Sequence, residues 1–256
     1  MSAVEPSRPA ASLDAETVRR NLALLEEGRR LVEESGRRGI TLRLIGGVAV
    51  MAHCPSVLSA GGSRPIADID AVVGPRQGRM LSRFLEDGGY EPERRFNALH
   101  GNRRMLFHGP LGRLDVLVGI FEMCHRFDLS GRLGLDEPTV PLTDLLLTKL
   151  QVVELNEKDA RDALDVLAEH DLSREEGDAV NLVRLEALVA GDWGLWRTVS
   201  GTLDRLRELA DPSERARIET VRRSLDEVPK TRRWRLRARV GERLRWYVLP
   251  DEVADG

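Results

Sequence analysis

A short apolar run that carries two aspartates limits the folds open to this chain. Residues 67–73, Ala-Asp-Ile-Asp-Ala-Val-Val, are followed by Gly74-Pro75 and predict a strand. Side chains two positions apart in a strand point to the same face, so Asp68 and Asp70 project together. Two carboxylates that close repel each other, and a divalent cation with a preference for oxygen ligands removes the conflict. The alternative is a strand end with two solvated aspartates.

A third aspartate, Asp115, interrupts the apolar strand predicted over residues 113–118. A buried carboxylate without a partner is costly, so a cation is expected beside it. Arg113 or Arg104 could be that cation. We favour a metal ion shared with the pair on the earlier strand.

A strand over residues 42–45 turns at Gly46-Gly47 into a small apolar helix. Glycine lets the backbone approach a phosphate closely, and the N-terminus of a helix supplies free N–H donors and a favourable dipole. A Gly-Gly turn is common by itself. Its place one strand before the two aspartates makes it a candidate phosphate site.

The rest of the chain divides into an α/β half and a helical half. Helices are predicted over residues 14–37, 77–86, 142–155 and 156–169, a loop over 55–66, and a hairpin whose strands cover 104–107 and 113–118. Further helical stripes follow, and residues 233–247 favour a helix over a strand. We expect a disordered leader at 1–12, a catalytic domain at 13–172 and a helical C-terminal domain at 173–256.

Charge is unevenly distributed along the 256 residues, whose net charge is −3. Residues 230–245 carry eight basic side chains against a single glutamate. This segment is either a solvated arginine-rich helix or a surface that follows RNA phosphates, with Trp234, Trp246 and Tyr247 available for stacking. Two cysteines, no signal-peptide core and no long apolar stretch predict a cytoplasmic protein without a membrane span.

The order of these motifs resembles the DNA-polymerase-β-like nucleotidyltransferase superfamily: strand, Gly-Gly, helix, then Asp-x-Asp, then one Asp on a later strand. Arg64, four residues before Asp68, is similar to the Arg-x-Thr-x-Asp-x-Asp variant of the bacterial abortive-infection (AbiEii-type) toxin branch. Ile66 stands in place of the threonine, and Gly47 in place of a phosphate-binding serine. Lys149, followed by Lys158-Asp159-x-x-Asp162, also resembles that branch.

The resemblance implies a nucleotidyltransferase fold, a mixed sheet flanked by helices with a helical C-terminal domain. It implies that Asp68 and Asp70 bind two Mg²⁺ ions, with Mn²⁺ as a substitute, and that Asp115 binds the catalytic ion. It further implies that NTP is bound by Gly46, Gly47, Arg64, Lys149 and Lys158, in a pocket that Asp159 helps to shape.

The implied reaction is transfer of NMP from an NTP to an acceptor hydroxyl. The first expectation for the acceptor is tRNA, in a toxin–antitoxin system with an antitoxin protein as partner. Two alternatives stay open. One is an aminoglycoside-type nucleotidyltransferase that acts on a small molecule. The other is a non-catalytic nucleotide-binding or interaction module of the same fold.

Overall fold

The structure is a computed structural model and describes residues 13–248. Its helices are α1 (Ala15–Arg37), α2 (Gly46–His53), α3 (Pro55–Ser59), α4 (Gly78–Asp87), α5 (Arg94–His100), α6 (Leu142–Leu150), α7 (Glu157–Glu169), α8 (Leu182–Gly191), α9 (Trp193–Leu209), α10 (Pro212–Glu227) and α11 (Arg232–Val240). Its strands are β1 (Leu42–Ile45), β2 (Ile69–Val73), β3 (Glu91–Pro92), β4 (Arg104–Gly109), β5 (Gly112–Val118), β6 (Ile120–Glu122), β7 (Arg126–Asp128), β8 (Leu172–Ser173) and β9 (Val180–Asn181). The predicted leader, residues 1–12, and residues 249–256 of the predicted C-terminal domain lie outside the described residues.

A mixed five-stranded sheet organises the N-terminal half, with the strand order β1-β2-β5-β4-β3. Strands β2 and β5 are parallel, while the other neighbouring pairs are antiparallel. Strands β4 and β5 form the predicted hairpin, which closes at the pair Gly109 and Gly112. Helices flank this sheet and make up the C-terminal part, so the predicted α/β class with C-terminal helices is confirmed.

Helix α1 and strand β1 form the hydrophobic support of the sheet's first edge. The side chain of Asp14 accepts hydrogen bonds from the backbone N–H groups of Glu16 and Thr17, which caps α1. The buried stripe of α1 then packs on α2 and β1. Every residue of β1 is buried, and the strand continues directly into α2 at Gly46. Packing on both elements therefore holds the backbone of the Gly-Gly turn.

Helix α6 is shorter than predicted, because the helix expected over residues 142–155 ends at Leu150. The carbonyl oxygens of Val152 and Val153 accept hydrogen bonds from Thr202 at 3.0 Å and Arg205 at 2.9 Å, both on α9. Side chains from another helix therefore satisfy these carbonyls outside α6. The predicted loop at 55–66 also contains a short helix, α3.

The C-terminal basic segment is helical over α11, as predicted, but not up to residue 247. Gly241 adopts a φ of +59°, and a short 3₁₀ turn, Gly241–Arg243, follows it. The Arg237 guanidinium donates to the carbonyl oxygens of Gly241 and Leu244, which holds the chain in this conformation after α11. Leu244 and Tyr247 therefore do not continue the apolar stripe that the sequence suggested.

A continuous hydrophobic core joins the sheet to the C-terminal helices. Helix α6 lies at its centre: all of its residues are buried, and it contacts α2, α7 and α9. In the part of the chain that the structure describes, no helix is both long and apolar enough to cross a membrane.

Candidate functional site

Three aspartates lie close together at the sheet. Asp70 on β2 is the register partner of Asp115 on the parallel strand β5. Neighbouring strands lie about 4.8 Å apart, and paired residues present their side chains to the same face. Strand β2 begins at Ile69 and not at the predicted residue 67, so Asp68 lies just before the strand. Its carboxylate is still close enough to Asp70 to raise the pKa of Asp70. The structure therefore brings the three predicted carboxylates together.

The Gly-Gly turn after β1 packs against Asp70. Ile45 pairs with Asp70 in antiparallel register, so the turn begins beside it. Gly46 has a φ of +69°, a conformation that favours glycine. A Cβ atom at Gly46 would overlap the Asp70 carboxylate, and one at Gly47 would overlap the Arg64 guanidinium. Glycine is favoured at position 46 by both its φ and the Asp70 carboxylate, whereas at position 47 the nearest atoms belong to the end of the Arg64 side chain. Contact of either glycine with phosphate stays a prediction.

Two cavities contain the residues predicted to bind nucleotide, except Gly47, which lines neither of the two. The first, which we call the aspartate cavity, has a volume of about 240 Å³ and opens onto Asp70 and Asp115. Gly46, Lys149 and Asp159 also line it. The second, which we call the basic groove, has a volume of about 600 Å³, and its lining includes Arg64 and Lys158.

Two arginines from the β4–β5 hairpin form ion pairs with two of the three aspartates. Arg104 Nε donates to Asp115 Oδ1 at 2.8 Å, and its Nη2 donates to Asp115 Oδ2. Arg113 Nη2 donates to Asp68 Oδ2 at 2.9 Å. Of the two arginines that the sequence offered as partners of Asp115, Arg104 is paired with it, whereas Arg113 is paired with Asp68.

Asp70 differs from its two neighbours in its electrostatics. Among the described residues it forms neither a hydrogen bond nor an ion pair, although Lys149 and Arg113 exert some attraction on its charge. Burial, together with the nearby Asp68 and Asp115 carboxylates, raises the pKa of Asp70 to about 7. The ionised form of Asp70 is therefore disfavoured when no cation is beside it, and a bound cation would favour that form.

A buried network joins α6 to α7 and forms the wall between the two cavities. Lys149 Nζ donates to Asp159 Oδ1 at 3.0 Å and contacts Asp162 Oδ2 at 2.8 Å. Arg64 donates two hydrogen bonds of 2.8 Å to the same Asp162 carboxylate. Burial opposes the charge of Lys149, but Asp162 and Asp159 outweigh it and hold the pKa of Lys149 above its ordinary value.

Sequence reasoning did not identify the pairing of Arg64 with Asp162, which lies 98 residues away along the chain. It did offer Arg104 as one possible partner of Asp115, and the register of the hairpin explains why the two side chains meet in the structure. Leu106 is paired with Asp115, so Arg104 stands diagonally across from the carboxylate on the same face.

The three aspartates have the right donor atoms for a divalent cation, but their present arrangement does not surround one. Across residues 13–248, no group of three or more His, Cys, Asp or Glu side chains is arranged to hold a metal ion. The donor atoms are all carboxylate oxygens, which suit Mg²⁺ and Mn²⁺, and Asp70 lacks a counterion. Since Arg104 and Arg113 engage Asp115 and Asp68, these arginines must turn away before three carboxylates can face one ion.

Comparisons with known proteins give a limited result. No protein-family model matches the sequence, and no curated protein matches it either. Among solved structures, the chain is similar to an antigenic nucleotidyltransferase-like protein from Paracoccidioides brasiliensis. The sequences are 11% identical, the TM-score is 0.41, and the match covers 86% of this chain and 97% of that chain. A similarity of this size identifies neither a family nor an activity.

Proposed function

We propose that this chain is a divalent-cation-dependent nucleotidyltransferase of the DNA-polymerase-β-like superfamily. The observation that carries the proposal is the register of β2 and β5, which puts Asp70 and Asp115 side by side at the aspartate cavity. Asp68 lies just before β2 and close to Asp70, and the Gly46 turn borders the Asp70 carboxylate. Three carboxylates beside a glycine turn suit the binding of a metal–nucleotide complex.

In the proposed reaction, an acceptor hydroxyl attacks the α-phosphorus of an NTP. The new P–O bond forms as the bond to the β-phosphate oxygen breaks, and pyrophosphate leaves. Asp68 and Asp70 would hold two Mg²⁺ or Mn²⁺ ions, and Asp115 the catalytic one. When bound, these ions neutralise phosphate charge and lower the pKa of the hydroxyl. Asp115 assists removal of the hydroxyl proton.

Lys149 is the residue of this chain best placed to orient the triphosphate. Its ammonium lines the aspartate cavity, and its contacts with Asp159 and Asp162 fix its position. A cation held in place before the substrate arrives stabilises the charge of the phosphates without reorganisation. Arg104, which lines the same cavity, becomes available to phosphate oxygens when it leaves Asp115.

For the acceptor we propose tRNA, in a toxin–antitoxin setting with an antitoxin partner. The support is the toxin-like Arg64 motif and the exposed arginines of α11. Arg232, Arg235 and Arg239 fall on one helical face and form no ion pair among the described residues. Trp234 and Trp246 pack against other tryptophans, so we assign no base stacking to them.

A non-catalytic binding module is the second candidate, favoured by the arginine pairs at Asp68 and Asp115. The test incubates the purified protein with Mg²⁺ or Mn²⁺ and each of the four α-labelled NTPs. The acceptors are total tRNA, an aminoglycoside or no addition. We expect label on tRNA from wild type, none from Asp70→Asn, and wild-type labelling from the control Asp87→Asn, whose carboxylate is exposed on α4.

Each other outcome has a clear meaning for the proposal. Label on the aminoglycoside alone supports the small-molecule enzyme. Binding of NTP without transfer to any acceptor supports the non-catalytic module. Transfer that survives Asp70→Asn contradicts the assignment of the three aspartates.

A further inference from the structure

The basic groove is a second cavity next to the aspartates, and its charge is not neutralised. Arg20, Lys158 and Arg161 line it, together with a single acid, Glu157. None of these three cations forms an ion pair with a carboxylate in the part of the chain that the structure describes, while the groove's fourth cation, Arg64, is paired with Asp162. The groove therefore presents a net positive charge.

Backbone carbonyls hold two of these cations in place. Arg20 Nη2 donates to the carbonyl oxygens of Ala67 and Leu111, each at 3.2 Å. Arg161 Nη1 donates to the carbonyl oxygen of Ser63 at 2.7 Å. These bonds fix the guanidinium groups without cancelling their charge, so the remaining N–H groups can bind an anion at little cost in side-chain entropy.

The position of the groove connects it with the proposed reaction. Ala67 lines it and is followed directly by Asp68, while the Arg64–Asp162 pair separates it from the aspartate cavity. A molecule in the groove would therefore lie beside the residue that precedes Asp68, with the Arg64–Asp162 pair between it and Lys149, which lines the aspartate cavity. This arrangement gives nucleotide and acceptor separate sites.

Helix α7 explains why neighbouring residues serve different cavities. Residues three apart on a helix share a face, whereas adjacent residues are turned by about 100°. Asp159 and Asp162 thus face Lys149, while Lys158 and Arg161 face the groove. The placement of Lys158 in the groove differs from its predicted role in nucleotide binding.

We propose that the basic groove is the acceptor site and binds phosphate groups of a phosphate-bearing acceptor through Arg20, Lys158 and Arg161. This inference rests on the proposed function. The same chemistry fits an RNA strand or a small phosphorylated molecule. Guanidinium forks match phosphate oxygens, and the groove's volume of about 600 Å³ exceeds that of the aspartate cavity.

The test measures binding without NTP or metal, so it does not depend on catalysis. A fluorescein-labelled single-stranded RNA 12-mer is titrated with the full chain, and ribose 5-phosphate is titrated in parallel by calorimetry. The groove variant combines Arg20→Gln, Lys158→Gln and Arg161→Gln. Its matched control also removes three positive charges, through Arg29→Gln, Arg79→Gln and Arg83→Gln at exposed positions on α1 and α4. Circular dichroism and urea unfolding verify that both variants fold.

We expect the groove variant to bind RNA at least about tenfold more weakly than the control. The slope of log affinity against log salt should become shallower by about 2, because each lost single-strand phosphate contact removes roughly 0.7. Loss of ribose 5-phosphate binding without an effect on RNA would identify a small phosphorylated acceptor. Unchanged binding of both ligands would overturn the inference.

Failure of the inference and failure of the proposed function are distinguishable. If wild type transfers NMP to tRNA while the groove variant binds RNA normally, the enzyme assignment stands and the groove is not the acceptor site. The single variant Lys158→Glu gives an independent check, because its side chain is exposed and makes no ion pair within residues 13–248. It should weaken RNA binding without a change in the unfolding midpoint.

Discussion

Replacing Lys149 with methionine tests the buried network that separates the two cavities. The Lys149 side chain is 9% exposed and that of Asp162 is 2% exposed. Methionine keeps the length of the apolar stem, so the substitution removes the ammonium without opening a large cavity. Asp162 is then left with Arg64 as its counterion, and Asp159 keeps only its contacts with Asn156.

The expected loss follows from these contacts. Removing one partner of a buried ion pair costs about 3–5 kcal/mol when the other charge is left alone. Here Arg64 still donates two hydrogen bonds to Asp162, and Asp159 is 20% exposed. We therefore expect a loss of about 2–3 kcal/mol in the free energy of unfolding.

Urea unfolding at pH 7 measures this loss, with Lys158→Met as the matched control. Lys158 is exposed on the neighbouring helix, so its replacement should change the free energy of unfolding by less than about 0.5 kcal/mol. Despite burial, Arg64 and Lys149 hold the pKa of Asp162 below its ordinary value of 3.8. The stability from this carboxylate is present above about pH 4 and is lost in acid, so the Lys149→Met deficit should shrink there. Equal losses in both variants would refute the reasoning.

Two further predictions concern single charges. Arg104→Gln frees the Asp115 carboxylate and should raise Mn²⁺ affinity severalfold in calorimetry without nucleotide; unchanged or weaker binding would contradict the proposed metal ligands. Burial raises the pKa of Asp165 to about 6, above its ordinary 3.8, so wild type gains stability as the pH falls through 6 toward 4. Asp165→Asn should therefore be about 1–2 kcal/mol more stable than wild type at pH 8 in urea unfolding and lose this advantage near pH 4; an advantage that does not vary with pH would refute the cause.

The sequence was informative wherever the deciding geometry is local. The spacing of Asp68 and Asp70 predicted two neighbouring carboxylates, and they are neighbours although β2 begins only at Ile69. The hairpin that carries Asp115 was also local, because a turn motif joins its strands. Only the parallel register of β2 with β5, which depends on the whole sheet, was needed to complete the cluster.

Contacts between segments that are distant along the chain could not be predicted, because local sequence carries no signal for them. Arg64 and Asp162 are separated by 98 residues, and nothing near either of them indicates the other. The end of α6 at Leu150 is similar, because hydrogen bonds from α9 to the following carbonyls decide it. Local propensity cannot report a bond whose donor lies on another helix.

The helical periodicity of α7 predicts which cavity each of its residues faces better than closeness in the sequence does. Lys158 and Asp159 are neighbours in the chain, which suggested one shared pocket. A turn of about 100° per residue instead directs Asp159 to Lys149 and leaves Lys158 on the face of Arg161. The first turns of α7 therefore contribute Asp159 to the aspartate cavity, and Lys158 and Arg161, together with Glu157, to the basic groove. This alternation matches the proposed function, in which Lys149 would bind the nucleotide and the unpaired cations Lys158 and Arg161 would bind a second anion.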